Sequence, residues 1–490
     1  MRRNVRQHGA MAGDEQLVSL HHTRSSSTRT MRRVAIVVSV VSIVIAALVV
    51  PAGIGSGRSL VGRPLAKQPG SSGDSVLVWN AIAGEAALAA CIAPTDNPLH
   101  ESHMYAMTHL AIHDALNAID RRYRPYAFFG HASRQASTDA AVATAARDVL
   151  VPVLGQISAP FPQACIDAAI AGVEADYAAA LDAIADTPSK RKGVNVGAKA
   201  AAAILALRAD DGSDTPLLDF DYPQGTEPGE YRFTPGTPFA FAPGWQDVTP
   251  FVLEDSSQFR ADPPYDVTES AYTADFDEVK RLGGNGTTTP SERTPDQTEI
   301  ALFWVESSPL QWNRIARIVS AEEGLDLWEQ ARLFGLLNMA LADGYVGSFE
   351  TKYLYNYWRP VTAIQNADTD GNPDTGVDPT WTPLVTTPPI PDHDSAHSVE
   401  GGAAAQVFQR FFGTDEISFE TCSLTLPAGR RCNDTSAVTR SFTSFSQAAE
   451  ENALSRILVG FHFRNAVEDG VEHSRLIGDR AVDLFLLPVH

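Results

Sequence analysis

Residues 325–360 read LDLWEQARLFGLLNMALADGYVGSFETKYLYNYWRP. Apolar residues recur at helical spacing through this stretch, which predicts a long helix over 325–358 that Pro360 stops. Lys352 and Arg359 stand seven residues apart, two helical turns, so both are expected on one face. Two cations beside each other amid Tyr355, Tyr357 and Trp358 repel unless an anion or a pair of acids lies between them. Taken alone, the pair reads more simply as a solvated basic face.

Working outward, residues 76–120 predict two helices around a Pro-containing turn, and Ala-rich helical patterns follow near 136–155, 163–186 and 190–209. The last should stop at Asp210-Asp211-Gly212. Residues 214–295 are rich in Pro, Gly, Thr and Asp but carry interspersed aromatics, so they read as an ordered segment wrapped over helices. Helical pattern returns at 296–306 and 310–320, again from Ala396 to Phe412 with Gly413 as terminator, and finally at 438–462 and 473–487. Few windows alternate with period two. The expected class is all-α: a large helical bundle with one long irregular segment, in four parts, 1–75, 76–213, 214–295 and 296–490.

The net charge of −21 argues against nucleic acid and anionic membrane surfaces as partners, and it obliges any anion site to concentrate its cations locally. Met31-Arg32-Arg33 followed by the apolar run 34–50 and Pro51-Ala52-Gly53 reads as an export signal or an uncleaved anchor, with a Gly/Ser-rich tether after it. The protein is therefore expected outside the cell, secreted or anchored at the outer membrane face. In that setting four cysteines allow two disulfides, Cys422 with Cys432 in a local loop and Cys91 with Cys165 between helices.

Two further elements carry chemistry. PPIPDHDSAHS (388–398) leads into a helix start at which Ser395 is a cap or first-turn residue. Helix N-termini suit oxyanions, and here Ser395 offers a hydroxyl, Ala396 a backbone N–H and His397 an acid or base. SRILVGFHF (455–463) places Arg456 and His462 near the end of a helix, with Gly460 leaving room for a close approach. Arg supplies a planar fork for an oxyanion, and imidazole can bond a metal centre or attack phosphorus. Other candidates read as structural: His109 and His113 as core residues, Asp368–Asp374 as a surface turn, and Gly401-Gly402 as close helix packing.

Lys352 with Arg359-Pro360, then Ser395-Ala396-His397, then Ser455-Arg456 with His462 resemble in order and spacing the signature shared by vanadium haloperoxidases and type 2 phosphatidic acid phosphatases. Residues 78–126 and 311–345 are similar to exported bacterial vanadium haloperoxidase-like proteins, so the resemblance covers most of the chain from about residue 76. It implies vanadate as cofactor, with vanadium bonded to His462 Nε2. Lys352, Arg359, Arg456, Ser395 and the Ala396 N–H would hold its oxygens, and His397 would pass protons. It implies hydrogen peroxide and a halide as substrates, an organic molecule as halogen acceptor, and pairing into a homodimer. With phosphate in the pocket, His462 would be the nucleophile and His397 the acid. A silent anion-binding exported protein is the third reading.

Several residues depart from the family's pattern. Ala396 stands where Gly is usual, and Asp394 where Pro is usual, with Asp392 close by. Ala466 stands where an Asp is common, and Ile390 where an aromatic or His handles halide. The two carboxylates are expected to raise the His397 pKa or to weaken anion binding. His393 adds an imidazole that could take over part of the halide-handling role.

Overall fold

The helices follow from apolar stripes too wide to leave in water, and most of them begin at a residue that can cap. The computed structural model describes residues 74–157 and 159–489, all within one unit, Gly57–His490. The expected N-terminal tail, the 34–50 segment and nearly all of the tether lie outside the described residues.

The described residues form thirteen α-helices. α1 (Ser75–Ala89), α2 (Pro98–Ile119), α3 (Thr138–Gln156), α4 (Gln163–Asp182) and α5 (Pro188–Leu207) make the first bundle. α6 (Ser270–Leu282), α7 (Pro295–Phe303), α8 (Ser308–Glu322), α9 (Leu327–Tyr355) and the short α10 (Pro360–Gln365) follow. α11 (Ala396–Phe412), α12 (Phe445–Leu458) and α13 (Arg464–Leu484) complete the second. Among the described residues the strands form two antiparallel pairs, Leu218–Asp219 with Ala240–Phe241 and Phe419–Cys422 with Thr439–Phe442. The all-α expectation holds.

α9 is the central rod. Its N-cap Asp326 and Glu329 form a capping box, and nearly every residue from Leu327 to Tyr353 is buried against α2 on one side and α11 on the other. α11 packs most extensively on α13, and the approach is close: a Cβ on Gly402 would meet the Ser474 Oγ at 2.0 Å. His109 bonds Asn80 and His113 contacts Asp114 in the core, as expected of structural histidines. Cys91–Cys165 and Cys422–Cys432 are both bonded.

The wrapped segment is largely irregular, but it contains α6, which the Pro- and Gly-rich composition of 214–295 conceals. Buried Asp343 on α9 fixes it: its carboxylate accepts the backbone N–H groups of Phe251, Val252 and Leu253 at 2.6, 2.7 and 2.8 Å. The last predicted helices also shift, to 445–458 and 464–484: Thr439–Phe442 pairs as a strand ahead of the first, and Gly460, at a left-handed φ of 87°, breaks the chain between them.

Candidate oxyanion site

α9 ends at Tyr355, three residues short of expectation. Asn356 takes a left-handed φ of 48°, and the wrapped segment captures the chain beyond it: Tyr231 N–H donates to Asn356 O at 2.7 Å and Trp358 N–H to Gly229 O at 2.8 Å. Pro360 disfavours helix at the residue before it, and Arg359 is extended, with φ −79° and ψ 153°. Arg359 therefore does not share a helix face with Lys352. It reaches the same place from a separate strand of chain.

Both cations are buried and held by backbone carbonyls. Lys352 Nζ donates to Asp392 O at 2.8 Å, to Pro391 O at 3.2 Å and to Asp394 O. Arg359 Nε donates to Ile390 O at 2.6 Å, and its Nη1 to Phe461 O at 3.0 Å. The loop 390–394 is thus wrapped around two cations. Burial pushes Lys352 down to about 7, with Arg359 adding to the effect.

Ser395 caps α11 with its backbone alone. Its hydroxyl makes no cap bond, and its N–H donates to Ala466 O at 2.8 Å. Ala396 is the first helical residue. α11 runs from Ala396 to Phe412 with Gly413 left-handed, as predicted. His397 keeps partial exposure among otherwise buried neighbours. Its ring Nδ1 lies 3.4 Å from the Ser308 hydroxyl.

Arg456 lies in the last turn of α12, where Nη1 donates to Trp304 O at 2.9 Å. His462 is not on that helix. It follows Gly460, whose backbone packs so tightly that a Cβ would meet Gly283 O at 2.7 Å. His462 Nε2 accepts from Arg359 Nη1 at 2.9 Å, while Nδ1 lies 3.0 Å from Asp392 Oδ1. Burial, then the surrounding cations, hold both His397 and His462 well below their usual range. Burial raises Asp392 to about 7, against the pull of Arg359 and Lys352.

Among the side chains expected to hold an oxyanion, three buried donors have no hydrogen-bond partner: Arg359 Nη2, Arg456 Nε and Ser395 Oγ. They come from the three separate sequence elements. Unsatisfied buried donors are costly, and a tetrahedral oxyanion is the ligand that would satisfy this set.

The departures from the family pattern resolve as follows. Asp394 does not face the pocket. Its carboxylate accepts from the Ser348 hydroxyl at 2.7 Å and contacts His473 Nδ1 at 2.7 Å, both fully buried. Burial opposes its charge, but His473 and Lys352 outweigh that and hold it below the usual range. The expected rise in His397 pKa does not occur, because Asp394 is spent on His473 while burial, and then the cations, push His397 down. His393, the imidazole expected to share the halide-handling role, bonds Asp262 O at 2.8 Å and lies 3.6 Å from Asp469. The carboxylate missing at Ala466 is replaced from another element, by Asp392. Sequence reading placed Asp392 against His397 because the two are near in the chain. Its true partner, His462, is far off in sequence and no local signal joins them.

Three buried cations, the buried N-terminus of α11 and two histidines therefore lie together within a helical bundle. Residues 332–489 match the family described as the VCPO second helical-bundle domain, so the resemblance to vanadium haloperoxidases holds on independent grounds. The vanadium chloroperoxidase of Curvularia inaequalis is 30% identical over 280 residues, which cover 46% of this chain and 45% of that protein; the match spans less than half of its length. Two solved structures share the fold. A bacterial vanadium-dependent iodoperoxidase aligns with a TM-score of 0.69 at 23% identity, covering 86% of this chain and 99% of the other. A holo-type bacterial vanadium-dependent chloroperoxidase aligns with a TM-score of 0.64 at 16% identity, covering 82% and 95%.

Proposed function

We propose that the protein is a vanadate-dependent haloperoxidase that uses hydrogen peroxide to oxidise a halide to hypohalous acid. The observation that carries this reading is the set of three unpartnered buried donors arranged with an uncharged His462 whose Nδ1 faces Asp392. Asp392 lies beside Nδ1, and Nε2, which accepts from Arg359 Nη1 at 2.9 Å, would exchange that bond for one to a metal centre. Arg359, Arg456 and Ser395 would hold the oxyanion, with Lys352 and the Ala396 N–H beside them. Vanadate, when bound, supplies a Lewis acid that activates hydrogen peroxide towards halide.

The chain's own contribution is electrostatic and protonic. The cations are fixed before a ligand arrives, so they offset its charge without reorganising. Peroxide, halide and one proton give hypohalous acid and water, so every turnover consumes a proton. His397, partly exposed and without a carboxylate ion pair, is the group positioned to deliver it.

Halogenation of a phenolic dye by vanadate-loaded protein with peroxide and bromide or iodide tests the reading. Loss of turnover in His462→Ala is expected, and no turnover with any halide after reconstitution would falsify it. A histidine-dependent phosphomonoesterase would use the same uncharged His462 as nucleophile, and it is distinguished by hydrolysis of an aryl phosphate that vanadate blocks. Export rests on the run at 34–50 and is tested by fractionating the cells.

A further inference from the structure

Behind His397 lie two buried carboxyl groups that the proposed reaction does not use. Glu400 is three residues on from His397 along α11, on the same face, and is fully buried against Gly344 of α9. Glu101, in the first turn of α2, is equally buried. Neither forms an ion pair among the described residues, although a buried carboxylate ordinarily demands a cation. Adjacent serines at the start of α8 serve them. Ser307, the N-cap, donates to Glu101 Oε2 at 2.6 Å. Ser308, the first helical residue, lies 3.4 Å from His397 Nδ1 and also faces the Glu400 carboxyl, as does the Tyr345 hydroxyl. Both Glu400 oxygens and Glu101 Oε1 are left without an aligned hydrogen bond.

We propose that Glu400 is a positioning residue that stores a proton for His397 and passes it through the Ser308 hydroxyl. This rests on the haloperoxidase reading above, in which each turnover consumes a proton. The proton leaves the Glu400 carboxyl for Ser308 Oγ as the Ser308 proton moves to His397 Nδ1. His397 then releases its Nε2 proton into the pocket, and Glu400 remains as a carboxylate until solvent recharges it.

The surroundings suit both states. Burial, with Glu101 adding to it, raises Glu400 well above the carboxylate range, and burial raises Glu101 to about 8 with Glu306 adding to it, so the store is filled at neutral pH. The charge left behind faces the N-terminus of the fifteen-residue α8 and the Arg456 guanidinium, while Arg314, paired to Glu306, lies on the Glu101 side.

The test compares full-length wild type, Glu400→Gln and Ser308→Ala, each titrated with orthovanadate at neutral pH. Infrared difference spectra of the wild type should show the carbonyl stretch of a protonated carboxylic acid that shifts on vanadate binding, is missing in Glu400→Gln and is retained in Ser308→Ala. Vanadate affinity in both variants should stay within about twofold of wild type, because a neutral carboxyl and an amide are alike in charge. Bromide turnover should fall roughly tenfold or more in both variants, and the loss should shrink as pH is lowered and solvent supplies the proton. A wild type with no carboxyl band that Glu400→Gln removes, or a Glu400→Gln enzyme with wild-type turnover at neutral pH, overturns the proposal. If the wild type oxidises no halide, the haloperoxidase reading fails by itself and the infrared arm still decides whether Glu400 holds a proton that responds to the anion.

Discussion

At the scale of single residues, the pocket's charge is set by two groups poised near neutrality. Burial lowers Lys352 to about 7 and raises Asp392 to about 7. As pH rises through that value the lysine loses its positive charge, which disfavours an anion. Phosphate affinity by calorimetry should be higher at about pH 6 than at about pH 8, with proton uptake on binding at the higher pH. An affinity that is flat or rises would contradict the buried setting of Lys352. Asp392 gives a second expectation. Asp392→Asn removes the carboxylate facing His462 Nδ1, so vanadate affinity should drop by about 10- to 100-fold while the fold persists, as circular dichroism would show. The residue types of the pocket were legible in the sequence, since Lys352, Arg359, Ser395, His397, Arg456 and His462 all converge. What could not be read was which carboxylate faces which histidine, because Asp392–His462 and Asp394–His473 are both contacts between distant segments.

At the scale of elements, α9 ties the irregular segment to the pocket. Asp343 holds three N–H groups of that segment, and nine residues further along the same helix Lys352 holds the 390–394 loop. Asp343→Ala should cost at least about 3 kcal/mol in unfolding free energy by leaving those donors unsatisfied. Hydrogen exchange should show the loss concentrated around Phe251–Leu253; a variant as stable as wild type would rule out the anchor. The Ala-rich helices and α11 were legible because an apolar period and a terminating glycine coincide. The end of α9 was not, although Pro360 gave a hint, because the segment around Gly229–Tyr231 competes for the backbone at Asn356–Trp358. Composition hid α6 for a related reason: its amphipathic turns sit within a stretch whose prolines and glycines dominate any window.

At the scale of the whole molecule, the disulfides brace different things. Cys91–Cys165 joins the α1 end to α4 across 74 residues and should contribute about 4 kcal/mol on a chain-entropy account, against about 3 kcal/mol for Cys422–Cys432 across 10. Cys91→Ser/Cys165→Ser should therefore lower Tm more than Cys422→Ser/Cys432→Ser in calorimetry, and equal or reversed losses would argue against that account. The pocket itself depends on α13, since the Ser395 amide is held by Ala466 O and Asp394 by His473. A chain made from its N-terminus presents Lys352 long before it presents those partners. The anion site accordingly comes into being late, when α13 closes on α11. The proposed ligand would meet a finished site only after that packing, so α13 is as much a part of the site as the helices that carry its cations.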